Sequence, residues 1–178
     1  MEFGDSLNPN SKETLLLNSL KKFYSNKYNL DILIPIIKQE SNISLRILDW
    51  LVTNYSKKYN TFYEIYKNGN KTIFFLYTSY KNQLKAYSKK FFDPFCRRNR
   101  IEINLKELCN NYTGSVITTI GQLNFFRWFI ENKLLNFVVL NISKIDNDMN
   151  ETIKNHKIKK LNKNITVSVT NLSVVAFD

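Results

Sequence analysis

The sequence predicts one α+β domain, mainly helical, with a β-hairpin near residues 61–76 and strands at the C-terminus. Three observations carry this reading. Apolar residues recur at helical spacing through most of the chain, as at Leu16, Leu17, Leu20 and Phe23. Between 61 and 76 the pattern changes to β-branched and aromatic residues around Asn68-Gly69, and Asn-Gly favours a tight hairpin turn because a type I′ turn needs positive φ. The closing stretch ITVSVTNLSVVAFD alternates, as a half-buried strand does. With 178 residues, 43% hydrophobic and 14% aromatic, the chain can bury one core.

Residues 1–9 read as a flexible N-terminal tail, and 10–178 as the domain. Asn10 and Glu13 have capping-box spacing ahead of a helix near 11–25. The run LDILIPIIKQE predicts a short buried helix with Pro35 in its first turns, where a missing amide costs least. Ser44 is placed to cap a third helix, with Ile43 and Leu48 as a hydrophobic staple. Leu45, Leu48, Leu51, Val52 and Tyr55 make its core face, and Arg46 falls on or near the other face. A helix near 77–88 follows the hairpin and ends before Asp93-Pro94, since the residue before proline leaves the helical region. RIEINLKEL reads as a strand and NNYTG as a loop. Thr119 and Gln122 form a second capping box ahead of a wide apolar helix holding Phe126, Trp128 and Phe129. Leu134 to about His156 reads as helix with a break near Asn141.

The chemistry is bounded by what is missing. The sequence has no GxGxxG, P-loop, HExxH or GxSxG pattern. Its one histidine, His156, stands in a lysine-rich stretch, and Cys96 and Cys109 supply no zinc spacing with it. Asp49, Glu64, Asp93, Asp146 and Asp148 read as solvated acids and caps rather than metal ligands. Cys96, beside Arg97 and Arg98, reads as a buried structural thiol. No catalytic residue, metal or cofactor is assigned, and no small-molecule substrate is evident. The first residues resemble no secretory signal, and no apolar run nears the roughly 18 residues that span a bilayer. The expectation is an intracellular protein that is neither secreted nor bound to a membrane.

Charge is the positive signal. The formal net charge is +11 and the pI about 9.6, a balance that favours polyanionic partners. Codon bias in an AT-rich genome supplies lysine but not arginine, so the arginines weigh more. Lys81, Lys85, Lys89, Lys90, Arg97, Arg98 and Arg100 lie within twenty residues that hold one acid, Asp93. Lys81, Lys85 and Lys89 repeat every four residues, which predicts one helix face. A second cluster, with Lys157, Lys159 and Lys160, follows from Lys154. These ten bases are the candidate nucleic-acid contacts, because guanidinium forks grip phosphate and clustered bases form the electrostatic footprint. Phe91, Phe92 and Phe95, interleaved with them, read mainly as anchors. Arg127 is expected to pair with Glu131 one turn on.

Four stretches, SLRILDWLVTNYSKKYN, YKNQLKAYSKKFFDPFCRRNRI, TTIGQLNFFRWFIENKLL and NKNITVSVTNLSVVAFD, resemble an uncharacterised family shared by large nucleocytoplasmic DNA viruses, the giant amoebal viruses among them. The resemblance implies a viral protein of host-cytoplasmic factories, with a place in the virion also open. It carries over no site residue. The residues and the resemblance together predict a non-catalytic basic protein that binds nucleic acid, DNA ahead of RNA, in replication, transcription or genome packaging. The alternative is a virion structural or protein-interaction module acting as a homodimer, motivated by 23 Tyr and Phe residues and the strand-like tail.

Overall fold

A computed structural model describes residues 12–67 and 69–170. Helices α1, Lys12–Tyr24, and α2, Lys27–Ile37, pack on each other. Asn26 caps α2 by accepting from the Tyr28 amide. The cap starts the helix ahead of the apolar run, so Pro35 falls in its last turn and not its first. There the Pro35 carbonyl accepts from the Glu40 and Ser41 amides and closes the helix.

Ser44 caps α3, Leu45–Trp50, accepting from the Ile47 amide at 3.2 Å, with Ile43 and Leu48 both buried beside it. The helix runs on through a π turn, Leu51–Tyr55, into α4, Ser56–Lys58. Strands β1, Phe62–Lys67, and β2, Asn70–Phe75, form the expected hairpin, with Phe62 opposite Phe75, Lys67 opposite Asn70, and Gly69 at φ 79° in the turn. Helix α5, Leu76–Phe91, follows. Strand β3, Arg100–Asn104, ends at Asn104, whose side chain caps the short α6, Leu105–Leu108, by accepting from Lys106. Strand β4, Ser115–Thr119, pairs back on β3. Helices α7, Ile120–Glu131, and α8, Leu134–Thr170, complete the order.

Helix α7 is the centre. Nine of its residues, Ile120 to Ile130 apart from Gln122 and Arg127, are buried. Helices α1, α2, α5 and α8 pack round it. A helix apolar on nearly all sides has to be sheathed on nearly all sides, and its Phe125, Phe126, Trp128 and Phe129 rings supply the core contacts. Its polar atoms are met from outside: Tyr24 OH donates to the Leu123 carbonyl at 2.7 Å, and Trp128 Nε1 to Ser79 Oγ at 3.0 Å. Arg127 pairs with Glu131 at 2.9 Å as expected.

Further expectations are corrected. Residues 165–170 continue α8 as helix instead of forming a strand, while 171–178, the 1–9 tail and the expected Asn10 cap lie outside the described residues. Extending a formed helix adds one hydrogen bond per residue fixed, whereas a strand there needs a partner edge. Helix α8 also runs unbroken past Asn141, whose amide donates back to the Phe137 carbonyl at 2.9 Å. Helix α5 kinks at Ser88, with φ 60° and ψ 170°, so Lys89 does not continue the row of Lys81 and Lys85.

Two bolts fix the layout. Asp148, 6% exposed, accepts from Trp50 Nε1 at 2.9 Å, Tyr59 OH at 2.9 Å and Lys58 Nζ at 2.5 Å, tying α8 to the α3–α4 unit. It is not the solvated acid the sequence suggested. Burial works to raise its carboxyl, but the bonds from Lys58, Trp50 and Tyr59 together hold it below the usual range. The second bolt joins α7 to the segment after the α5 kink. Asn124 Nδ2 donates to the Phe91 carbonyl at 2.9 Å, Gln122 Nε2 to the Pro94 carbonyl at 2.9 Å, and the Asp93 amide to the Gly121 carbonyl at 3.2 Å. Thr119 caps α7 as expected, but the Gln122 side chain holds Pro94 and Thr118 and does not close the capping box.

Both bolts are testable by denaturant unfolding. A Cβ at Gly121 would lie 3.0 Å from the Lys90 carbonyl and 3.2 Å from Cys96 Cβ, so Gly121→Ala is expected to destabilise by about 1–3 kcal/mol. An unchanged midpoint would refute the close approach. Asp148→Asn is expected to cost about 2 kcal/mol at neutral pH. A carboxyl held low stabilises the fold above its unfolded value and stops doing so as pH falls through the folded value. The deficit should therefore shrink in acid, and a deficit independent of pH would contradict the charge-assisted bolt.

Candidate nucleic-acid interface

The segment from Lys89 to Arg100 mixes bases with phenylalanines, and the structure separates their tasks. Phe92 is fully buried against Tyr80, Phe125 and Trp128. Pro94 is buried beside it. With the peptide groups of Phe91, Asp93 and Pro94 bonded to α7, the chain is held inward at 91–94 and turned outward at 95–100. Asp93 Oδ1 accepts from the Phe95 amide at 2.7 Å, and the Asp93 carbonyl accepts from the Cys96 amide, forming the turn. Asn99, at φ 54°, turns the chain again into β3.

Two adjoining clefts open on either side of this turn and share Phe95, Cys96 and Arg97 as walls. One, of about 660 Å³, also holds Lys89, Lys90 and Arg98, together with the acids Glu13 and Asp93. The other, also about 660 Å³, holds Arg46 and Arg100 beside Gln39, Ser41, Ser44, Thr118 and Gln122, and no acid. Four of the five arginines in the chain thus line the pair of clefts.

The charges are not equally free. Lys90 pairs with Glu13 at 3.2 Å and lies 4.7 Å from the centre of the Phe91 ring. Lys89 stands near Asp49. Burial raises that carboxyl, Asp93 raises it further, and Lys89 draws it back. Tyr80, under the same acids, is pushed up to about 12, mainly by burial. Among the described residues no carboxylate is in ion-pair range of Arg46, Arg97, Arg98 or Arg100. All four are exposed. The arginines therefore carry the uncompensated positive potential of the site.

Of the ten sequence-derived residues, Lys89, Lys90, Arg97, Arg98 and Arg100 come together here. Lys81 and Lys85 are exposed on α5 before the kink, and Lys157, Lys159 and Lys160 are exposed on α8; none of these five lines either cleft. Arg46 was missed, because a helical wheel shows only that it faces away from its own helix's core. Its rarity as an arginine, two residues after the Ser44 cap, is the signal that could have found it. Cys96 is half-buried in both clefts instead of fully buried. Among the described residues no cluster of three acid, histidine or cysteine side chains could hold a metal ion, and no helix is long and apolar enough to cross a membrane.

Comparison with known proteins agrees with the resemblance read in the sequence. A family of unknown function, DUF7197, matches residues 6–174. The uncharacterised protein L507 of Acanthamoeba polyphaga mimivirus is 47% identical over 153 residues, which cover 85% of this chain and 59% of L507. The chain thus spans about three fifths of the length of that relative. No solved structure matches. The chain belongs to the DUF7197 family of unknown function, and its relative in a giant amoebal virus makes it a viral protein of an uncharacterised group.

Proposed function

We propose that this protein binds nucleic acid through its phosphates, DNA ahead of RNA, and serves viral replication, transcription or genome packaging without catalysing a reaction. The observation that carries this reading is the convergence of Arg46, Arg97, Arg98 and Arg100, unpaired by any described acid, on two joined clefts. Guanidinium groups that no carboxylate occupies can present their planar forks to phosphate oxygens in bidentate pairs. Lys81 and Lys85 extend the positive surface along α5, and the exposed Lys157, Lys159 and Lys160 offer a second foothold on α8. A host-cytoplasmic factory is the compartment that fits such a role.

The second reading, a homodimeric interaction module, is favoured by the outer face of the hairpin. Phe62, Tyr66, Ile73 and Phe75 are exposed there around the Glu64–Lys71 ion pair, which is 2.8 Å long. A two-fold axis through that pair would set Glu64 of one copy against Lys71 of the other and bury the flanking rings. The two readings are compatible, since a symmetric pair doubles the phosphate contacts.

Titration with duplex and single-stranded DNA over a range of salt tests the first reading. Neutralising about six phosphates should lower affinity by about a thousandfold between roughly 50 and 200 mM salt. The folded Arg97/Arg98/Arg100→Glu variant should lose that binding. No binding by the wild type at low salt would sink the proposal. Light scattering tests the second reading: a dimer that Phe62→Ser with Phe75→Ser splits is expected, and a strict monomer would refute it.

A further inference from the structure

The three phenylalanines of the Lys89–Arg100 segment are not equivalent. Phe92 belongs to the core, and Phe91 packs against it. Phe95 is in neither group, and among the described residues its ring takes part in no aromatic pair. It is half-buried and forms a wall common to both clefts. Its backbone is nonetheless firmly set by the Asp93 turn and by buried Pro94, which Gln122 holds through its carbonyl. A rigidly presented ring that the core does not use, with Arg97 as its neighbour in both clefts and Arg46 and Arg100 across one of them, has the components of a base-stacking platform.

The shape of the surface points the same way. Reading a duplex calls for a helix or a ribbon that protrudes into a groove. Here the arginines line hollows of about 660 Å³ each, the size of pockets that enclose small ligands. Such a hollow admits an unpaired nucleotide, whereas the bases of a duplex are stacked inside it and out of reach. The acid-free cleft also offers Gln39, Ser41 and Ser44 as hydrogen-bonding groups beside the arginines.

We infer that the cleft between Phe95 and Arg46 holds an unpaired nucleotide of a single strand, its base stacked on the Phe95 ring and its phosphate on Arg46, Arg97 and Arg100. This rests on the reading of the arginines as phosphate contacts and adds the strand state. Phe95 supplies affinity that does not depend on salt, and the arginines supply affinity that does. Because every base has a π face, the site accepts any sequence.

The test uses a thymidine oligonucleotide and a duplex of the same length, titrated at several salt concentrations. The proteins are wild type, Phe95→Leu, Phe95→Trp and Arg97/Arg98/Arg100→Glu, each checked for folding by circular dichroism. The wild type should bind the single strand more tightly than the duplex. Phe95→Leu should weaken single-strand binding about tenfold, with duplex binding and the salt slope unchanged. Phe95→Trp should keep wild-type affinity, and its added tryptophan emission should be quenched by the single strand but not by the duplex. Equal effects of Phe95→Leu on both forms, no effect on either, or no quenching in Phe95→Trp would overturn the stacking site. If salt-dependent binding that the arginine variant loses persists in those cases, the phosphate reading survives alone. No binding of either form by the wild type would overturn both.

Discussion

The near-complete burial of α7 is the constraint from which the rest follows. A helix carrying Leu123, Phe125, Phe126, Trp128, Phe129 and Ile130 leaves no broad face for water, so the chain has to lay α1, α2, α5 and α8 against it. Burial of several aromatic side chains, each contributing about 2–3 kcal/mol, dominates the local energetics. The polar atoms left inside then decide the detail. Each has a specific partner: Tyr24 on the Leu123 carbonyl, Ser79 on Trp128, Asn124 on the Phe91 carbonyl. Such bonds add little net stability when made but cost a good deal when lost, and in this way they select one arrangement among many greasy ones.

The same constraint builds the candidate site. Gly121 lets the Lys90 carbonyl and Cys96 come close to the start of α7, and Gln122 and Asn124 bind the peptide groups between them. With Phe92 held in the core, the next residues have to turn outward. Ser88 bears part of the cost, since its backbone lies in a region that normally belongs to glycine and is worth about 1–3 kcal/mol. That strain sits immediately before the basic segment and re-aims Lys89 and Lys90 away from the α5 row. Arg46 reaches the same place from α3, and Arg100 from the start of β3. Two stretches about fifty residues apart, around Arg46 and around Arg97–Arg100, therefore deliver like charges to one place, an arrangement that packing alone does not reward.

Much of this was legible in the sequence, for definite reasons. Local signals were read well: the Asn68-Gly69 hairpin, the Ser44 and Thr119 caps, and the Arg127–Glu131 pair each depend on neighbours within a few residues. The arginine run at 97–100 was visible because arginine is scarce here. What failed depended on tertiary context. β4 is five residues long and its meaning comes from its partner β3. Asp148 looks like a surface acid until Trp50, Lys58 and Tyr59 are brought to it from about ninety residues away. The alternation after Ile165 has the period of a strand, yet the described part continues a helix. Phe95 could not be told from Phe91 and Phe92 by type; only the core they do or do not enter separates them.

The proposed anion site lies where α7 holds the Phe91–Pro94 segment and turns Phe95 and the arginines outward. Amide hydrogen exchange, followed with and without a saturating single-stranded oligonucleotide, addresses it residue by residue. The account predicts new protection in residues 39–46 and 95–101, and none in the hairpin strands 62–67 and 70–75. Protection confined to α8 beyond Lys154, or to the hairpin, with 39–46 and 95–101 unchanged, would contradict it.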